Sequence, residues 1–358
     1  MKFSIIAWPK NKNRKHNPYQ SLLYDALEKI GAGKVSEFSP SKLILTKGEK
    51  ILHIHWPDVF LATARGWKFW AKLVLLRGLF AFTGLLGIPV IWTAHNIKRT
   101  GQQNTKLMER FFWPWFASKI DGIIYMNKSS KIKAEKLFEH WCNVPNTIIS
   151  HGHYGPVIAA CNSITSSINN KKPQILFFGS ITKYKNAYKL LETFLDLPVG
   201  LASLKIKGKM SEIEPDNKLL NILKNMSYEQ KENVFFEDRF IDDKELVQAV
   251  TESELVVFPY SEVLNSGAAI YALSVGRPIL VSDTPLFREL QEKVGDDWVR
   301  LMKTDINADM LLLTLRHAQE LKDSKAKPDL SFLDWELIAK KTASFYRQVI
   351  SIRSENKK

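Results

Sequence analysis

Short, uninterrupted apolar runs alternate with stretches in which apolar residues recur at helical spacing. Phe3 to Trp8, ILHI at 51–54, PVIWTA at 89–94 and IDGIIY at 120–125 read as strands buried on both faces, as in a parallel sheet covered by helices. NTII at 146–149 follows, and then QILFF, LASLKIKGK, NVFF, ELVVFPY at 254–260 and PILVS repeat the pattern. Between them, Leu22, Leu23, Ala26, Leu27 and Ile30 share one face of a helix that starts near Tyr19 and stops at Gly31. KSSKIKAEKLF, Ala187 to Leu195 and DDKELVQAVTES continue as helices, the last with Asp242 as N-cap and Glu245 placed for a capping box. Asp334 caps a final amphipathic helix, WELIAKKTASFYRQVISI, and RSENKK reads as a frayed tail. This order predicts an α/β chain built as two doubly wound parallel sheets, whose ligands gather at strand C-termini.

NSITSSINNKKP, 162–173, is polar, rich in serine and asparagine, and closes on a proline, which marks a linker. The expected divisions are 1–165, 166–333 and a closing helix with tail, 334–358. A length of 358 residues suits two domains, and 45% hydrophobic with 25% charged residues is a globular composition. Cys142 and Cys161 give neither a disulfide framework nor metal-ligand spacing, so a reducing compartment is expected. MKFSIIAWPK has too short an apolar run for a secretory leader. The net charge of +14 favours a polyanionic partner: nucleic acid, an anionic membrane or phosphorylated ligands. Dispersed basic residues, with no helix-turn-helix or RNA-binding aromatic motif, argue against nucleic acid.

Candidate chemistry collects at strand ends. Alternation puts His53 and His55 on one face of their strand; His53 reads as a core histidine bonded to backbone, whereas His55 and Asp58 sit where the strand opens into a loop. His95 ends the next strand, and His151, Gly152, His153 and Tyr154 follow another. The repetition favours a ligand crevice, and no further ligand at sensible spacing supports zinc. Lys10, Lys12, Arg14 and Lys15 occupy the loop after the first strand, where a solvated loop competes with a phosphate contact. Asn265, Ser266 and Gly267 form a loop of small residues before a short apolar helix, a Gly276–Pro278 turn and a strand ending at Asp283. A helix N-terminus behind such a loop suits a diphosphate. Within 61–87, Arg65, Lys68 and Lys72 fall on one helical face among Trp67, Phe69, Trp70, Leu73 and Leu76, and FFWPWF follows at 111–116. The segment is a poor membrane span but fits an interfacial membrane helix; the alternative is a core helix whose lysines reach solvent.

The run GSITKYKN, LKIKGK, VVFPY and NSGAAIYALSVGRPILVSD resembles the nucleotide-sugar domain of GT-B glycosyltransferases. More narrowly, it resembles the bacterial group that builds exopolysaccharide and lipopolysaccharide units on lipid carriers, near the subgroup that includes inverting β-mannosyltransferases. LHIHWPD and IWTAHN are similar to that superfamily's acceptor domain, HGHYGP to its hinge loop, and DWELIAKKTASFY to its C-terminal helix. The resemblance spans nearly the whole chain. It implies two Rossmann-like domains facing each other across a cleft, with the C-terminal helix packing back on the first. It implies that Lys185, helped by Lys183 and Asn186, contacts the donor diphosphate, that Asn265, Ser266 and Gly267 offer it backbone amides, and that His95 faces the donor sugar. Asp58, His95 and His153 are the candidates for a base if the enzyme inverts. The chain departs from the pattern at Ser180, where an arginine is usual. Of the two family glutamates eight positions apart, Val263 stands at the first place and Tyr271 at the second, with Glu262 one place off. The expected activity is metal-independent sugar transfer, with no cofactor, from a nucleoside diphosphate, leaning to GDP-mannose, to a saccharide on a polyprenyl diphosphate. The expected location is the cytoplasmic side of the cytoplasmic membrane, held peripherally on its anionic surface. A non-catalytic GT-B-like subunit and a basic nucleic-acid or anionic-membrane binding protein are the alternatives.

Overall fold

The computed structural model describes residues 3–12, 14, 17–62, 64–96, 104–161 and 172–355. Two units divide the chain, the first comprising 1–152 with 332–358 and the second 153–331. Most of the linker expected at 162–173 lies outside the described residues, as does Lys15.

In the first unit β1 (Phe3–Trp8), β2 (Gly33–Glu37), β3 (Lys50–Ile54), β4 (Val90–Ala94), β5 (Gly122–Tyr125) and β6 (Asn146–Ile148) form one parallel sheet in the order β2-β1-β3-β4-β5-β6. The winding reverses between β1 and β3, the place where open α/β sheets leave a crevice beyond their strand ends. β4 and β5 are buried at every position, which explains their continuous apolar runs. The edge strand β2 buries Val35 alone, so no apolar pattern announces it in the sequence.

Helix α1 (Tyr19–Lys29) and the C-terminal helix (Trp335–Glu355) share a core in which Tyr19, Leu23 and Leu27 meet Trp335, Ile338, Phe345 and Val349. Burial of the C-terminal helix's apolar face contributes on the order of 10 kcal/mol before conformational entropy is charged against it. The predicted cap is present: the Asp334 carboxylate accepts from the amides of Glu336 and Leu337 at 2.7 and 3.3 Å. The helix also runs further than its sequence suggests. Arg353, Ser354 and Glu355 are helical, and Arg353 pairs with Asp121 at the foot of β5.

Helix α2 (Trp67–Leu85) begins after Gly66, whose φ of +55° breaks the helical path. Arg65 therefore precedes the helix instead of sharing a face with Lys68 and Lys72. Phe69, Leu73, Leu76, Phe80 and Thr83 form the buried face. The FFWPWF cluster is largely core: Phe112, Trp113 and Phe116 are buried, and Phe80 packs on Phe116.

The second unit repeats the plan with β7 (Gln174–Phe178), β8 (Ser203–Lys207), β9 (Val234–Glu237), β10 (Leu255–Phe258), β11 (Ile279–Ser282) and β12 (Val299–Met302), all parallel, in the order β12-β11-β10-β7-β8-β9. Here the winding reverses between β7 and β10. Just past the ends of β7 and β8 the backbones nearly touch, for a Cβ on Gly208 would lie 1.8 Å from the Gly179 carbonyl oxygen. Helix α3 (Asp243–Glu252) is capped by Asp242, which accepts from the Glu245 amide at 2.9 Å. The expected capping box stays half-made because the Glu245 carboxylate is drawn to Lys207 and Arg239. Helix α4 (Gly267–Val275) follows the loop after β10.

Candidate active site

The ends of β3 and β4 bring three histidines into one buried chain. His53 Nε2 lies 2.8 Å from Thr93 Oγ1, and His55 Nδ1 lies 2.9 Å from His95 Nε2. The Tyr24 hydroxyl joins the two halves, 3.0 Å from His53 Nδ1 and 2.7 Å from His55 Nε2. Tyr346, from the C-terminal helix, places its hydroxyl 2.8 Å from His53 Nδ1. His53 is thus bonded to side chains, and the expected backbone partners are not what satisfies its ring. Burial pushes His53 down to about 3 and His55 well below the usual histidine range, the latter with help from its neighbours His53 and His95. His95, at the open end, is stacked on Trp56 at 4.5 Å and edged by Tyr19 at 4.9 Å. His151 belongs to the same aromatic wall through Tyr19, and burial lowers it to about 4.

Of the other candidates in this unit, Asp58 is buried and opens the one-turn helix Val59–Ala62, its carbonyl accepting from Leu61 and Ala62. Trp67 is 74% exposed and Trp70 44% exposed, with Arg65 and Lys68 exposed beside them. Lys72 turns inward, donating to the Phe60 carbonyl at 2.9 Å and lying over the Phe60 ring. His153 falls in the second unit, where its Nδ1 accepts from the Gly155 amide at 3.0 Å, so nothing within the first unit brings it to His95 and Asp58.

In the second unit the loops after β7 and β10 are fastened to each other. Asn186, at φ +52°, donates through Nδ2 to the Pro259 carbonyl at 2.9 Å, and the Ser261 amide and hydroxyl both reach the Tyr184 carbonyl. Between these ties Lys185 Nζ lies 5.3 Å from the centre of the Tyr260 ring, and a Cβ on Gly179 would sit 3.6 Å from it. Among the described residues Lys185 has no carboxylate partner. Desolvation alone lowers it to about 8. A desolvated ammonium with no counter-charge is costly; the lowered pKa relieves part of that cost, and a bound anion would relieve more. The Tyr260 hydroxyl, buried beside it, has no hydrogen-bond partner among the described residues.

Lys183 is exposed one turn away, and its amide donates to the Glu214 carbonyl. Ser266 caps α4, accepting from the Ala269 amide at 3.2 Å, and Gly267 is the first helical residue. Asn265 is half-buried in the preceding loop, and Glu262 and Ser180 are exposed. Tyr271 is buried between Tyr154 and Phe178, its hydroxyl donating to the Asp243 carbonyl at 3.3 Å. Among the described residues no group of three or more His, Cys, Asp or Glu could hold a metal ion, and no helix is long and apolar enough to cross a membrane.

Sequence reasoning missed Tyr24, Thr93, Tyr346 and Tyr260. The first and third look like ordinary core positions on amphipathic helices, and their histidine partners lie 29 and 293 residues away in sequence. Tyr260 carried a visible signal, as the last residue of a strand that opens into the loop of small residues.

No protein-family model matches the chain. It is 27% identical over 337 residues, 94% of its length and 90% of the relative's, to a GDP-mannose:glycolipid 4-beta-D-mannosyltransferase of Xanthomonas campestris pv. campestris. Among solved structures it resembles an α,α-trehalose 6-phosphate synthase from Burkholderia multivorans, with a TM-score of 0.64 and 9% identity, covering 98% of this chain and 99% of that one. It also resembles a sucrose-phosphate synthase from Thermosynechococcus elongatus, with a TM-score of 0.61 and 14% identity over 98% and 100% of the two chains. HepE of Anabaena, solved in complex with UDP, matches with a TM-score of 0.57 and 12% identity over 99% and 98%. The chain thus has the fold of the GT-B glycosyltransferases among these solved structures, and its sequence is similar over nearly its whole length to a mannosyltransferase.

Proposed function

We propose that the chain transfers mannose from GDP-mannose to a saccharide carried on a membrane lipid, of the polyprenyl-diphosphate class. The observation that carries this reading is Lys185, a half-buried cation with no counter-charge among the described residues, at the place where the second sheet reverses its winding. A sugar nucleotide leaves as a nucleoside diphosphate, so its transferase has to stabilise developing negative charge at that point. Lys185 and the amides that open α4 supply that stabilisation from protein groups alone, without a metal. The relative's name supports mannose, GDP and a glycolipid as the particular substrates.

The acceptor's lipid accounts for the outer face of α2. Trp67, Trp70, Val74, Leu75 and Leu85 are exposed there, the last at 86%, alongside Lys68 and Arg77. Indoles and basic residues on one surface suit the interface of an anionic membrane, which would hold the enzyme peripherally on the side of the membrane where sugar nucleotides are made.

The test supplies GDP-, UDP-, CDP- and ADP-sugars with polyprenyl-diphosphate saccharides in anionic vesicles and follows radiolabel into lipid. Label from GDP-mannose alone is expected. Transfer from a different nucleotide would correct the donor, and no transfer together with no nucleoside-diphosphate binding would leave a non-catalytic subunit as the better reading.

A further inference from the structure

The two loops at the reversal of the second sheet are tied in antiparallel order. Asn186 Nδ2 donates to the Pro259 carbonyl at 2.9 Å, and the Ser261 amide and hydroxyl donate to the Tyr184 carbonyl at 2.9 and 3.0 Å. Between those ties the chain order leaves Lys185 opposite Tyr260, with Nζ over the ring and 5.3 Å from its centre. The ring is itself held, 5.3 Å from Phe258 and edged by Phe177 and Tyr184, each 6.4 Å away. Gly179 approaches the same Nζ without a side chain. Burial, with Tyr184 adding to it, keeps the Tyr260 hydroxyl well above the usual phenol range, so the ring stays neutral wherever Lys185 titrates. That hydroxyl is buried and has no hydrogen-bond partner among the described residues. A buried hydroxyl left unpaired costs stability, so the oxygen is not what fixes this side chain. Its contact with a charge is made by the face of the ring.

An aromatic face attracts a cation through its quadrupole and takes none of its N–H donors. A carboxylate opposite Lys185 would attract the ammonium more strongly, but it would spend those donors and neutralise the charge. We propose that Tyr260 is the positioning residue for Lys185: its ring holds the ammonium in place with the N–H groups left for a diphosphate, and its hydroxyl takes no part. The diphosphate rests on the function proposed above; the hold on Lys185 does not. Lys183 and Tyr184 on the same loop and Glu262 on the other are the further titratable groups there. None of them contributes to the lowering of Lys185, which desolvation alone produces. Loss of the ring therefore removes a stabiliser of the charged form, and Lys185 gives up its proton at a lower pH.

The test is an NMR titration of the full chain with 13C-labelled lysine, using Lys185→Ala to assign the signal, alongside GDP calorimetry at pH 6 and 8.5. Tyr260→Leu should move the Lys185 titration down by about one pH unit. GDP binding should then weaken about tenfold at pH 8.5 and by less than about twofold at pH 6, where the lysine is charged in both proteins. Tyr260→Phe returns the ring without the hydroxyl and should restore both readings. A merely structural role for Tyr260 would weaken binding alike at the two pH values. Phenylalanines with one, two and three ring fluorines at position 260 keep the shape and drain the face, so the titration should step down along the series. That series decides even if the leucine variant folds poorly. A Lys185 titration unmoved or raised in Tyr260→Leu, or a fluorine series without a trend, would overturn the proposal. So would GDP binding as weak in Tyr260→Phe as in the leucine variant. The expected titrations in a chain that binds no GDP would uphold the hold on Lys185 and count against the proposed function instead.

Discussion

Both units reverse their winding beside a central strand, yet they furnish that place in opposite ways. The first fills it with imidazoles and phenols joined from Thr93 to His95. The second fills it with a cation, Lys185, that no carboxylate among the described residues offsets. A network whose members satisfy one another is preorganised: it orients a group at its open end and needs no ligand to be stable. A buried charge without a partner is incomplete, and it indicates the sign of what completes it. The first arrangement is complete in itself, whereas the second is one that an anion would complete.

The largest expected effect breaks the second site. Lys185→Ala should lower transfer by roughly 100-fold without lowering the melting temperature, because removing a desolvated cation with no carboxylate partner among the described residues relieves that cost; Lys185→Arg should recover only part. Kinetics and calorimetry on the two variants check both halves of the statement.

How much of this was legible beforehand follows the same division. The strands β1, β4, β7 and β10 were readable because burial on both faces leaves an unbroken apolar run. Edge strand β2 was not, with Val35 its only buried residue. Resemblance pointed to Lys185 and His95, but composition could not show that the lysine has no carboxylate partner among the described residues or that a tyrosine 293 residues from His53 closes the histidine chain. Such contacts are made by topology. The aromatic segments misled in the other direction, since FFWPWF at 111–116 looked like a membrane surface and is largely core.

A smaller effect sharpens the first site. His53 and His151, near 3 and 4 when folded, lie below the ordinary histidine value of about 6.5, so they favour the fold above pH 6.5 and this contribution is lost as the pH falls. Urea titrations between pH 7 and 4.5 should lose about 1.4 kcal/mol per pH unit for each, and His53→Gln should flatten the slope by one histidine. Smaller again, Trp67→Ser with Trp70→Ser should weaken binding to anionic vesicles about tenfold while transfer to a short-chain, water-soluble acceptor continues; equal vesicle binding would remove the membrane role of α2. Least of all should change on stripping divalent metals. With EDTA the rate is expected to stay within about twofold, because Lys185 and the α4 amides supply the positive potential.

The most direct measurement is a calorimetric titration of GDP into the chain and into Lys185→Ala, repeated from pH 7 to 9.5. Lys185 loses its proton near pH 8 in the free protein, and a bound diphosphate would hold that proton on. The account predicts binding that weakens as the pH rises through about 8, with proton uptake on binding above that value, and both features absent in the variant. GDP binding of equal strength and equal pH dependence in Lys185→Ala would contradict it.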